Sequence, residues 1–277
     1  MTDQGRFSVT SVGTLAGVGE EEILAASQLV RRGTRFRLDL PLDQPAPPLF
    51  GRPPLRHDVW QLEGFERASD DVLNDFNTQG STHWDALRHV RGDDGYFESK
   101  DPAQLGVEHY ATGVVGRAVL LDLTANPGVE PDVRRPVSPA ELDACAKAQG
   151  VEIRPRDIIL LRTGWLAPYL ATPADKRPEM PEFAGLESSD AAYDWLERNQ
   201  ITAIAADQLT VEVFPTEPTV LHERIIPGLG IVIGELFWLE ELAADSAETG
   251  VWDGFLVSVP LRIPGGCASP ANAVVFR

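Results

Sequence analysis

The sequence predicts a mixed α/β domain, and three observations carry that expectation. Apolar runs of strand length, such as Ala118-Val119-Leu120-Leu121-Asp122-Leu123, alternate with segments of helical period. The helical segments bring their own start and stop residues. No repeat, low-complexity tract or charge block interrupts the 277 residues to mark a linker, which favours one interleaved domain over two.

Taken in order, Ile23, Leu24, Ala26, Leu29 and Val30 recur at helical spacing and predict a helix over Glu20 to Arg32, stopped by Gly33. Arg35 to Leu40 alternates and predicts a strand. Pro41 to Pro54 holds six prolines and predicts an extended loop. The mixed pattern from His57 to Phe76 predicts no element. After the strand at Ala118, Ser138-Pro139-Ala140-Glu141 is a capping box with proline at the first helical position, opening a helix that runs to about Gly150. Asp157 to Arg162 predicts a second buried strand. Ser188 or Ser189 caps a helix through Tyr193, Trp195 and Leu196, leading into a strand from Ile201 to Ala206. Ile231 to Ile233, Phe255 to Val259 and Ala273 to Phe276 are further strands.

Composition removes several function classes. With 24 basic and 42 acidic residues the formal charge is −18, which opposes nucleic acid and anionic membrane surfaces. It suits divalent cations, although screening over about 8 Å limits what net charge says of one site. Cys145 and Cys267 are the only cysteines and form no C-x-x-C, which points to a reducing compartment and excludes a zinc ribbon. Met1 to Ser11 lacks the basic and apolar regions of a signal peptide, and no stretch approaches about 18 apolar residues; a cytoplasmic location is expected.

Five histidines occur, and two fall in the window Gln79-Gly80-Ser81-Thr82-His83-Trp84-Asp85-Ala86-Leu87-Arg88-His89. The Gly-Ser-Thr entry and Trp84 favour an extended chain, which places Gln79, His83, Asp85 and His89 on one face. Imidazole and carboxylate in H-x-D spacing suit a borderline divalent metal such as zinc or manganese; a metal-free His83–Asp85 hydrogen bond is the alternative. Far along the chain, His222 and Glu235 form a second such pair. Glu235 ends an apolar strand, where a buried carboxylate needs a partner or a metal. Trp84, Trp60 and Phe76 are candidates for an aromatic substrate pocket, with core packing as the alternative. Gly228-Leu229-Gly230-Ile231-Val232-Ile233-Gly234 imitates a dinucleotide fingerprint but lacks its glycine spacing and precedes a strand. The G-x-S-x-G elbow and the P-loop are absent.

The window resembles the H-x-G-T-H-x-D-x-P-x-H signature of the cyclase family, which includes bacterial kynurenine formamidases and isatin hydrolases. Gly116 to Asp122, Asp157 to Trp165, the His222 and Glu235 pair, and Pro264 to Asn272 resemble its other blocks in order. The resemblance implies a swivelling β/β/α domain with a β-barrel-like core and surrounding helices over residues 35–277; the first residues fall outside it, and their periodic pattern alone predicts a helical extension over 1–34. It implies a homodimer or homotetramer acting on a small molecule. His83 and Asp85 then occupy metal-ligand positions, His89 the position of a catalytic histidine, and His222 and Glu235 the positions of second-metal ligands. Gln79 stands where the family carries its first ligand histidine, Ser81 replaces a glycine, and Leu87 replaces a proline. An amide oxygen is a harder, weaker donor than imidazole, so Gln79 either favours manganese or magnesium or weakens one site.

The expected function is metal-dependent hydrolysis of a lactone, lactam or formamide by a metal-activated water, with His89 and Glu235 as proton-transfer groups. A ring-closing cyclase or dehydratase and a metal-free binding protein are the alternatives. On a straight strand His89 lies about 13 Å beyond Asp85, so it reaches the metal only if the chain turns after Ala86.

Overall fold

The described residues of the computed structural model are 11–65, 67–216 and 220–277, so the first ten residues of the expected N-terminal extension lie outside them. In chain order they form α1 (Glu20–Ser27), β1 (Arg35–Arg37), β2 (Arg56–Gln61), β3 (Ser69–Asn74), β4 (His83–Asp85), β5 (Val114–Asp122) and β6 (Pro136–Val137). There follow α2 (Pro139–Gln149), β7 (Ile158–Arg162), α3 (Leu166–Ala171), β8 (Gly185–Leu186), α4 (Asp190–Arg198) and β9 (Ala203–Ala206). The chain ends with α5 (His222–Leu229), β10 (Val232–Glu235), α6 (Glu240–Thr249), β11 (Asp253–Ser258), β12 (Ala268–Pro270) and β13 (Ala273–Phe276).

Nine of these strands make one sheet in the order β1-β13-β11-β5-β7-β9-β10-β4-β12. Its centre, β5-β7-β9-β10, is parallel, and the flanking pairs are antiparallel. The parallel strands are covered on both faces, which is why Ile158 to Leu161 reads as an unbroken apolar run with every residue buried. The sheet curls into a half-barrel with helices around it, the architecture the resemblance implies. No helix among the described residues is long and apolar enough to cross a membrane.

Local chemistry sets the helix ends. At α2, the Ser138 backbone N–H donates to Glu141 Oε2 at 3.0 Å, and Gly150 closes the helix at φ +70°. At α4 the cap is Ser189, whose Oγ accepts from the Ala192 amide at 3.1 Å. Trp195 then ties α4 to α2 by donating to Asp143 Oδ1 at 2.8 Å. Helix α1 ends at Ser27, five residues before the expected Arg32. The chain must turn there to enter the sheet edge, where Thr34 and Arg277 exchange backbone hydrogen bonds of 3.0 and 2.9 Å. Helix α1 packs on β5 and β11, and the Thr14 amide donates to the Gly230 carbonyl at 2.9 Å, fastening the N-terminal segment to the sheet.

The stretch without an expected element is the hairpin β2–β3, paired from Arg56↔Asn74 to Gln61↔Ser69. Both of its faces are largely in solvent, so no apolar alternation marks it.

Candidate metal centre

Strand β4 is three residues long and lies between β10 and β12, with His83 opposite Glu235 and Asp85 opposite Ala268. Side chains alternate along a strand, so His83 and Asp85 share one face and Trp84 takes the other. Trp84 is fully buried there, edge-on to Phe237 with ring centroids 4.7 Å apart, and its Nε1 donates to Ser258 Oγ at 2.8 Å. The expectation that Trp84 lines a substrate pocket is therefore corrected: the pleat aims it into the core. Gly234 sits opposite Trp84 because a Cβ there would meet the Trp84 ring at 2.7 Å and Ala205 Cβ at 2.6 Å. The glycine-rich segment is a packing device, with Gly230 ending α5 at φ +68°.

Trp60 lies on the outward hairpin, 44% exposed. Phe76 lines a cavity of about 380 Å³ with Leu40, Leu73, Thr82 and Leu261.

The four ligand candidates converge although the two pairs are about 140 residues apart. His83 Nε2 stands 3.4 Å from Asp85 Oδ1 and 3.3 Å from Glu235 Oε2. His222 Nε2 stands 3.1 Å from Glu235 Oε1 and 3.9 Å from Asp85 Oδ2. One donor atom from each of His83, Asp85 and Glu235 falls within 4.8 Å of the other two, and all three residues are buried. Both rings are oriented from behind. His83 Nδ1 lies 2.8 Å from the Ser81 carbonyl, and His222 Nδ1 lies 2.6 Å from Glu212 Oε2, which leaves each Nε2 facing the centre.

His89 reaches the same place because the straight-strand geometry is broken. The His89 amide donates to the Ala86 carbonyl at 2.8 Å, and this turn brings His89 Nε2 to 4.0 Å from Asp85 Oδ2. Gln79 completes the rim: its amide nitrogen lies 3.2 Å from Asp85 Oδ1 and 3.3 Å from His89 Nδ1. The donor side of this amide, not its oxygen, faces the carboxylate. His89 is 28% exposed and Gln79 partly so, while His83 and Asp85 are sealed; approach is from the Gln79–His89 side.

Two observations test whether a cation fits. His83 Nε2 and Asp85 Oδ2 are buried with no hydrogen-bond partner among the described residues. Such atoms are rare in proteins, because each forfeits about 1–3 kcal/mol of solvation. The donor set, imidazole nitrogen with carboxylate oxygens, is that of borderline divalent ions, and one ion would engage both orphan atoms. Without an ion the carboxylates hold protons on the rings instead. Burial works against a charged His83, but Asp85 and Glu235 outweigh it and push its pKa up to about 10. Burial likewise opposes charge on His222, and Glu212 and Glu235 hold it well above the ordinary value. Burial opposes ionisation of Glu235, and the His222 and His83 rings overcome it, keeping this carboxyl ionised.

Glu212 is the site residue that sequence reasoning missed. It is fully buried, and its Oε1 has no partner among the described residues. The signal was there: a lone acid inside Leu209-Thr210-Val211-Glu212-Val213-Phe214 is as anomalous as Glu235 after its own apolar strand.

The profile of the Putative cyclase family matches residues 37–213, well over half of the chain. The chain belongs to this family. Within the cyclase fold, a crystal structure of a novel cyclase is 27% identical over 96% of both chains, with a TM-score of 0.88. Isatin hydrolase A from Labrenzia aggregata, bound to benzyl benzoate, is 21% identical over 90% of this chain and 94% of its own, with a TM-score of 0.67. A potential metal-dependent hydrolase with cyclase activity is 18% identical over 88% and 98%, with a TM-score of 0.57. No curated protein matches the chain. The profile takes in the cyclase window from Gln79 to His89 and Glu212, while His222 and Glu235 lie beyond it.

Proposed function

We propose that this cyclase-family protein is a metal-dependent hydrolase of a small cyclic or N-acyl compound, a lactone, lactam or formamide. The observation that carries the reading is the buried convergence of His83, Asp85 and Glu235 with two orphaned donor atoms at its centre. These three residues would hold a zinc or manganese ion, and His222 would join them or serve a second ion. Bound there, a divalent ion lowers the pKa of a coordinated water and polarises a carbonyl oxygen.

The chain's own groups do the rest. The Ser81 carbonyl and Glu212 fix which nitrogen of His83 and His222 faces inward. His89, on the open side, would accept a proton at Nε2 and return it to the leaving amine or alkoxide; its Nε2 lies 4.0 Å from Asp85 Oδ2. Gln79 bonds Asp85 and steadies the His89 ring, so its part in this reading is to orient the rim as much as to offer a ligand.

Metal analysis of the purified protein tests the reading first. One or two equivalents of zinc or manganese, lost in His83→Ala, are expected; a folded protein that takes up no divalent ion would overturn it. Turnover in ¹⁸O-water tests the reaction. Label in the product supports hydrolysis, and ring closure without label rejects it.

A further inference from the structure

The open side of the centre carries a cation that the hydrolase reading does not use. Arg52 lies in the proline-rich loop, half-buried, and its Nη1 donates to the Gln79 carbonyl at 2.5 Å. It is close enough to feel the charges of both Glu235 and Asp85. Among the described residues that bond is the guanidinium's only hydrogen bond, and no carboxylate stands within 4.0 Å of its nitrogens. Two other sheltered arginines, both near charged partners, are treated differently. Arg162 holds Asp122 and Glu240 at 3.0 and 2.6 Å, and Arg277 holds Asp245 at 2.9 Å. A guanidinium offers five N–H donors in a planar fork, and Arg52 leaves most of its fork unspent beside a reaction centre.

The backbone that presents it is strained in a specific way. Phe50 and Gly51 have φ of +58° and +65°, and the Arg52 amide closes the turn on the Leu49 carbonyl at 3.3 Å. Positive φ is rare for a bulky aromatic residue and clusters where a side chain must be aimed. Leu49 is buried and anchors the turn in the core packed around Trp165 and Phe183. Phe50 is left 48% exposed, beneath the Arg52 guanidinium at 5.4 Å and edge-on to Phe214 at 6.2 Å. The turn therefore stacks the Arg52 guanidinium on one face of the half-exposed Phe50 ring and holds it against the Gln79 carbonyl, with the rest of its fork unspent.

We propose that the substrate is an anion whose carboxylate docks on Arg52 while its apolar part rests on Phe50. This rests on the hydrolase reading for the location of the reacting carbonyl, which lies on the Asp85–Glu235 side of the same opening. It narrows the substrate class to small carboxylate-bearing amides, esters or lactones. A cation held by His83, Asp85 and Glu235 would offset the negative charge of the carboxylates there.

Phenylacetate and its neutral isostere phenylacetamide are the probes. Their binding is measured by calorimetry to the full chain, metal-loaded and chelator-treated, in the wild type and in Arg52→Gln. Wild type is expected to prefer phenylacetate. Losing a charge-assisted fork costs about 10–100-fold, so Arg52→Gln should weaken phenylacetate by that factor in both metal states and leave phenylacetamide unchanged. As a check on the folded wild type, the Arg52 Nε–H resonance, assigned by its loss in Arg52→Lys, should shift with phenylacetate and not with phenylacetamide. Equal affinity of wild type and Arg52→Gln for phenylacetate, or an unmoved Arg52 resonance, would overturn the proposal. If phenylacetate binds only the metal-loaded forms, with or without Arg52, the ion holds the carboxylate; the proposal then fails and the metal reading stands. If no ion binds but phenylacetate still depends on Arg52, the metal reading fails and the anion site stands.

Discussion

Asp85 and Glu235 each turn one carboxylate oxygen toward His83 and the other toward His222. The two imidazoles never need to touch, because the carboxylates between them serve both. One ion could draw on His83, Asp85 and Glu235, while His222 faces the other oxygen of each carboxylate.

Removing either carboxylate should therefore affect both imidazole sides at once. Asp85→Asn and Glu235→Gln are each expected to lower divalent-ion affinity at least about tenfold, with metal content by mass spectrometry as the readout. A variant that retains the full complement would show that its carboxylate is not a shared ligand.

Metal uptake should release protons. At pH 7.5 His83, with its pKa near 10, carries a proton that ligation must remove, and His222 is held charged in the same way. Calorimetry in buffers of different ionisation enthalpy should find about one to two protons expelled per ion, and affinity should rise with pH. The metal-free protein behaves oppositely. Its histidine–carboxylate pairs stabilise the fold fully below the unfolded histidine pKa of about 6.5, and that contribution is lost as pH rises through about 10. Uptake without proton release would mean the rings are already neutral.

Glu212→Gln tests the support behind His222. Loss of a carboxylate that orients a ligating imidazole typically costs about 10–100-fold in metal affinity. The ¹⁵N shifts of His222 should move as well, since the charge that favours hydrogen on Nδ1 is gone. Unchanged shifts would leave Glu212 a packing residue.

Gln79→His restores an imidazole beside Asp85. Imidazole binds zinc better than an amide does, so more zinc should survive dialysis against a chelator. Unchanged or lower retention would place residue 79 outside the ligand set.

Asp39 offers a test away from the centre. Its Oδ2 accepts from the Ala273 amide at 2.8 Å, while Oδ1 is buried without a partner among the described residues. Burial pushes its pKa from 3.8 up to about 6, against the lowering pull of the Ala273 amide and Arg37. The unfolded chain loses this proton first as pH rises. Asp39 therefore costs stability progressively from about pH 4 to about 6 and fully above. Asp39→Asn removes the cost. The stability difference between variant and wild type should shift in the variant's favour by about 2–3 kcal/mol from pH 4 to 7.5, read by denaturant unfolding. A pH-independent difference would mean the carboxyl titrates normally.

The buried half of this architecture was legible because burial leaves periodic marks. Ile158 to Leu161, the Ser138 box and the Ser189 cap each produced the expected element. The β2–β3 hairpin was not, since a strand wet on both faces carries no pattern. The H-x-D pair and the lone Glu235 announced themselves as polar groups in apolar surroundings, and Glu212 would have done so under the same test. Arg52 could not, because an arginine in a proline-rich loop has no sequence context that shows where its fork points. The turn after Ala86 was equally hidden: Leu87 gives no turn signal, and tertiary contacts make the bend.

The pairing of β4 has a consequence for inheritance of function. Its three residues carry two opposite cargoes, ligands on one face and Trp84 on the other, so sliding by a single residue would exchange them. Trp84, locked against Phe237 and Ser258, acts as the key that admits only one alignment. A lineage could change every group that touches a substrate and keep this lock, and the centre would survive. A drift at Trp84 or Gly234, on the face turned away from the ligands, would scramble them without altering one of them.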